Sequence, residues 1–169
     1  MILTRTAILA EIESGRIRID PFSLDQVGPA SIDLHLGDEI RVLQPGPEAI
    51  DVHDDVDYLA VTDVQPLRDP YVLAPGETIL GITRESISLP GDVAGWLEGR
   101  SRFARLGLMI HVTAGFVSPG VNNRQVLEIS NVSRRGLAIH AGTRLCQIVL
   151  QRCDGSAVYA GRFARQMRL

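Results

Sequence analysis

The sequence predicts a mainly β domain built as a sandwich or barrel of short strands. Three observations carry this. Several segments alternate apolar and polar residues with the period of a strand. Sixteen glycines and nine prolines cut the 169 residues into short pieces. Helical periodicity fades after the first fifteen residues.

At the N-terminus, Thr4 or Thr6 can cap a short helix. Ala7, Ile8 and Ile12 form its apolar stripe, Glu11 and Glu13 its polar face, and Gly15 its stop. Strand patterns follow at Ser31–Gly37, Glu39–Leu43, Thr78–Thr83, Gln125–Asn131 and Leu137–Ile139. Pro75-Gly76 and Pro90-Gly91 lie in turn sequences between strands. Residues 44–70 are the least regular. Pro45, Pro47, Pro66 and Pro70 sit among Asp51, Asp54, Asp55, Asp57 and Asp63, a surface excursion within one domain spanning 1–169. The segment 98–107 breaks the β pattern, with three arginines and a serine between Gly99 and Gly107. One helical turn near 100–106 would put Ser101 and Arg105 on one face.

Composition narrows the function. The hydrophobic share is 45%, the charged share 22% and the net charge −3, with a pI near 5.8. That balance fits a folded domain and argues against a general nucleic-acid binder, which carries a basic stripe. All 17 basic residues are arginine. Schiff-base and P-loop chemistry both need lysine and are excluded, whereas arginine suits bidentate binding of phosphate. Cys146 and Cys153 lack metal-ligand spacing and make no disulfide framework. No signal-peptide pattern and no apolar run of about 18 residues is present, so no membrane association and a cytoplasmic location are expected.

Two places hold candidate chemistry. Backbone N–H groups at the start of the 100–106 turn, beside Arg100, Arg102 and Arg105, would suit an anion; a solvated basic turn would look the same. In Gln125–Asn131, alternation puts Val126, Glu128 and Ser130 on one face and Leu127 and Ile129 on the other. Glu128 is then an exposed strand carboxylate or, covered by a partner chain, a general acid/base. His111, in an apolar run, reads as a core or interface residue, and the four histidines share no ligand spacing. The His-x-Glu with Pro-Cys-x-x-Cys signature of zinc deaminases is absent.

Residues 97–120, Leu-Glu-Gly-Arg-Ser-Arg-Phe-Ala-Arg-Leu-Gly-Leu-Met-Ile-His-Val-Thr-Ala-Gly-Phe-Val-Ser-Pro-Gly, closely resemble the central signature of the dCTP deaminase family, within the trimeric dUTPase-like superfamily. Residues 29–37, 71–81, 89–92, 126–131, 141–147 and 159–166 resemble further family segments in the same order, and 44–70 show no obvious counterpart. The resemblance implies a distorted β-barrel or jelly-roll of the dUTPase-like type. It implies a homotrimer with sites between subunits, and deamination of dCTP to dUTP and ammonia without zinc. By the same resemblance Glu128 is the catalytic acid/base, Ser101 and Arg105 hold the water, and the Ala114 carbonyl lies near it. Arg100, Ser101, Arg102, Phe103, Ala104 and Arg105 form the triphosphate turn. Val126 and Leu127 give main-chain contacts to the base. Gln147, Tyr159, Arg162 and Gln166 belong to the closing C-terminal segment, a lid at about 155–169. Mg²⁺ is expected to arrive with the nucleotide rather than in a protein cage, and dTTP is an expected inhibitor.

Four departures qualify the resemblance. Ser118 stands where the family has Asp, next to the sugar, and cannot serve as a carboxylate base. A dUTP diphosphatase or a dUMP-forming bifunctional enzyme is therefore the less favoured alternative. A non-catalytic nucleotide-binding relative, or a deaminase of a modified cytidine nucleotide, is another. Arg102 replaces a small hydroxyl, and Asn122-Asn123-Arg124 replaces a stretch that usually carries glycine. The lid is expected to be short and its closure weak or partner-dependent.

Overall fold

The computed structural model describes residues 1–46, 49–68, 70–111 and 113–169. It is mainly β, a curled half-barrel with short helices, as the sequence predicts. The N-terminal helix α1 (Arg5–Glu13) starts after Thr4 and stops before Gly15, whose positive φ of 73° suits glycine. Strands follow in chain order: β1 (Arg18–Asp20), β2 (Ile32–Leu43), β3 (Thr62–Pro66), β4 (Tyr71–Leu73), β5 (Thr78–Ser88) and β6 (Val93–Gly99). The helical turn α2 (Ser101–Ala104) comes next. The remaining strands are β7 (Leu108–Ile110), β8 (Phe116–Val117), β9 (Asn122–Asn131), β10 (Leu137–Ile139) and β11 (Arg144–Arg152).

The main sheet runs β7-β9-β5-β2-β11-β6-β8, with β1 added beside β5 and β3 beside β2. Its pairs are all antiparallel. The curl comes from β2. Its first residues pair with β11 and its later ones with β5 and β3, across a register shift between Leu36 and Ile40. Where β5 crosses, Gly81 leaves no room for a side chain: a Cβ there would lie 2.6 Å from Leu36 Cδ1 and 2.8 Å from Ile129 Cδ1. One apolar cluster fills the curve, with Ile32, Leu34, Leu36, Ile79, Leu127, Ile129 and Ile148 among its members.

Three expectations change. The patterns at Ser31–Gly37 and Glu39–Leu43 are one continuous strand, because the bulge lets a single strand serve two sheet directions. The excursion at 44–70 holds a short helical turn at Tyr58–Val61 and the strand β3; alternation is poor there because β3 is an edge strand exposed on most of its residues. Its Pro47 lies outside the described residues. Glu11 is not on a solvent face. It is buried and bonded to Arg16 (2.8 Å) and Arg152 (2.5 Å), which ties α1 to β11.

Candidate functional site

The site is built on β9. Leu127 and Ile129 are fully buried in the core, so Val126, Glu128 and Ser130 face the other way, as alternation requires. Arg124 shares that face. The Glu128 backbone carbonyl accepts a hydrogen bond from the His111 N–H (2.7 Å), and its Oε2 accepts from Thr113 Oγ1 (2.6 Å). The segment after β7 is thus tied to Glu128 through both main chain and side chain. His111 has φ of 54°, rare for a residue with a Cβ. Its Nε2 lies 2.9 Å from the Ala114 carbonyl oxygen and so donates to it, leaving Nδ1 as a buried acceptor with no partner among the described residues. Strain of this kind persists where surrounding structure enforces it, often at functional sites.

A cavity of about 410 Å³ opens beside the carboxylate. It is lined by Ala114, Ser118, Val126, Glu128, Tyr159 and Gln166, all six expected from the sequence, and its volume suits a small ligand. Glu128 is the only carboxylate among the described lining residues. A second groove, of about 620 Å³, also reaches Glu128, past Thr78, Met109, Thr113 and Ser130.

The other expected residues lie elsewhere. Ser101, Arg102, Ala104 and Arg105 form an exposed turn, and neither Ser101 nor Arg105 bonds to Glu128 within the chain. Among the described residues, Arg102 and Arg105 make no ion pair. Phe103 packs on the core edge. Arg100 pairs with Asp33 (3.2 Å) and donates to the Arg144 carbonyl (3.3 Å). Gln147 accepts from Ser31 (2.7 Å) on the same face of the sheet. The Leu127 side chain is in the core, so only its main chain can meet a ligand. Arg162 pairs with Asp57 (3.3 Å) and covers the Phe163 ring. One chain therefore carries a carboxylate half-site and a separate arginine-rich half-site.

The residues missed from sequence are His111, Thr113, Arg124 and Tyr58. The first three lie within or beside quoted motifs, but nothing in their spacing marked them. Tyr58 comes from the irregular excursion and reaches the cavity only through the fold.

The profile of the dCTP deaminase-like family matches residues 2–153. The chain belongs to that family. A Parafrankia protein named "dCTP deaminase, dUMP-forming" is 39% identical over 98% of this chain and 87% of its own length. A Rhodococcus opacus protein of the same name is 42% identical over 93% and 84%. Among solved structures, the 2'-deoxycytidine 5'-triphosphate deaminase of Agrobacterium tumefaciens superposes with a TM-score of 0.71 at 25% identity, over 90% of this chain. This chain spans about half, 48%, of that longer one. The dUTPase of Staphylococcus aureus phage phi11 shares the fold, with a TM-score of 0.52 at 14% identity. Among the described residues no helix is long and apolar enough to cross a membrane, and no group of three or more His, Cys, Asp or Glu is placed to hold a metal.

Proposed function

We propose that this protein deaminates dCTP with water, using Glu128 as general acid/base. The observation that carries the reading is the meeting of Glu128, Ala114, Ser118, Val126, Tyr159 and Gln166 around one nucleoside-sized cavity. Cytosine would lie along β9 with its C4 at the carboxylate. Glu128 takes a proton from water as the oxygen adds to C4. It passes that proton to ring N3, then takes the C4 hydroxyl proton and delivers it to the amino group, which leaves as ammonia while the C4 carbonyl forms. Thr113 fixes one carboxylate oxygen, leaving the other for water. His111 holds the Ala114 carbonyl, which can accept the water's second hydrogen.

The two half-sites support a homotrimer in which the Arg100–Arg105 turn of one chain enters the second groove beside Glu128 of its neighbour. Ser101 and Arg105 would then hold water and carboxylate, and the unpaired Arg102 and Arg105 would meet the triphosphate with its Mg²⁺. Binding energy at the phosphates would position the base. dTTP would compete for the same cavity, having no amino group to lose.

The expected product, dUTP, gives way to dUMP, since the relatives at 39–42% identity are named dUMP-forming. That adds a second water, with release of pyrophosphate. Ser118 offers no carboxylate to activate that second water, and a slow second step with transient dUTP is expected.

The test is incubation of the protein with dCTP and Mg²⁺ while ammonia, pyrophosphate, dUTP and dUMP are followed together. Ammonia with dUMP and pyrophosphate is expected. Ammonia with dUTP alone would overturn the second step and keep the first. Glu128→Gln should lower kcat by at least about 10³-fold without changing the oligomer; unchanged turnover would remove Glu128 from its role.

A further inference from the structure

The C-terminal segment is seated on the fold by more than its own residues. β9 has an outer edge facing away from β5. Its later half is covered by β7, which pairs from Leu108↔Asn131 to Ile110↔Ile129. Its first half is covered by the C-terminal segment, running parallel to it. The Asn122 N–H donates to the Ala164 carbonyl (3.1 Å) and the Arg124 N–H to the Gln166 carbonyl (2.8 Å). Side chains add to this. Asn123 Nδ2 donates to the Phe163 carbonyl (2.7 Å). The Arg124 guanidinium donates to the Thr83 carbonyl (2.6 Å) and to the Met167 carbonyl (3.4 Å), bridging β5 and the segment.

A second anchor lies across the cavity. Asp57 pairs with Arg162. Tyr58 lines both the Glu128 cavity and a hollow walled by Arg162, Phe163 and Gln166. Tyr58 is itself fixed: Thr62 Oγ1 donates to its carbonyl (2.7 Å), and the Arg41 guanidinium lies 5.9 Å from its ring centre.

We infer that Asn123, Arg124 and the Asp57–Tyr58 turn are positioning residues that clamp the C-terminal segment across the cavity before nucleotide binds, presenting Tyr159 and Gln166 as standing walls of the site. The Asn122–Arg124 stretch, which stands where the family usually carries glycine, is the main part of this clamp. Closure is made by bonds within the chain, from residues 122–124 and 57 and from the Ala157 and Tyr159 N–H groups to the Gly91 and Pro119 carbonyls (2.9 Å each). The inference rests on the proposed function only where it concerns turnover.

Amide hydrogen exchange on the full protein without nucleotide tests it. The Asn122 and Arg124 amides can be protected only by the docked segment. They and the Ala164 and Gln166 amides should exchange slowly in the unsubstituted chain. In Asn123→Ala and Arg124→Gln they should exchange about tenfold faster or more, as expected when a local opening loses one or two hydrogen bonds. Leu127–Asn131 should be unchanged. Asp57→Asn, at an exposed position, supplies the same readout if the buried substitutions impair folding. Rapid exchange of these amides in the unsubstituted chain, or equal exchange in variants and parent, would overturn the clamp. With dCTP, the clamp variants should raise KM about tenfold and change kcat less. A purely structural defect would lower the active fraction at constant KM. Absence of turnover in the parent would count against the proposed reaction and leave the exchange result to decide the clamp.

Discussion

Glu128 is held at two levels: its main chain by the strand ladder and the His111 N–H, and its carboxylate by Thr113. A hydrogen bond to a charged group contributes about 1.5–3 kcal/mol. Thr113→Val keeps the shape and loses that bond, leaving the carboxylate free to rotate. A fall in kcat of about 10–100-fold corresponds to that energy, with a fall of a few degrees in melting temperature. Steady-state kinetics beside a thermal melt check it, and an unchanged kcat would mean that Thr113 does not orient the base. His111 is the other residue-scale device. Its left-handed backbone turns the chain sharply enough for its own imidazole to reach the Ala114 carbonyl three residues on.

At the scale of elements, α1 is docked by charge as well as by Ile8. Burial raises the Glu11 carboxyl, but the hydrogen bonds from Arg16 and Arg152 outweigh it and hold its pKa below the ordinary 4.5. The folded state therefore binds this proton more weakly than the unfolded chain. The stabilisation is complete above pH 4.5 and is lost as the pH falls below that value through the depressed folded pKa. Glu11→Gln should cost about 1–2 kcal/mol near neutrality, since both arginines are partly solvated. The gap between variant and parent should shrink towards pH 3, as read by urea denaturation at the two pH values. A gap independent of pH would mean that Glu11 acts through packing alone.

For the whole molecule, the separation of the carboxylate from the exposed arginine turn makes a definite claim about assembly. If neighbouring chains complete each other's sites, Glu128→Gln and Arg105→Ala should each be inactive as pure proteins. Mixed and co-refolded, they should regain a fraction of parental activity, because some interfaces then pair an intact Glu128 with an intact Arg105. Failure to recover any activity in demonstrably mixed oligomers would place both residues in one chain's site.

How much of this was legible in the sequence depended on the range of the interaction. Periodicity set the face of β9 on which Glu128 lies, and Gly15 marked the end of α1, because alternation and a left-handed glycine stop are local properties of the chain; Thr4 stands before the first helical residue without a side-chain cap bond. The family motifs identified six of the residues that line the cavity. The burial of Glu11 was not legible, since its partner Arg152 is 141 residues away. Nor was the strand β3, an exposed edge whose pattern no core imposes. Tyr58 at the cavity, and the hold of Asn122–Arg124 on the C-terminal segment, exist only because the curled sheet brings 57–62, 122–124 and 162–167 together. Local sequence determined which residues could do chemistry and which way each points from its strand. The tertiary structure alone decided which of them meet, because those contacts are made across the sheet between segments that share no local pattern.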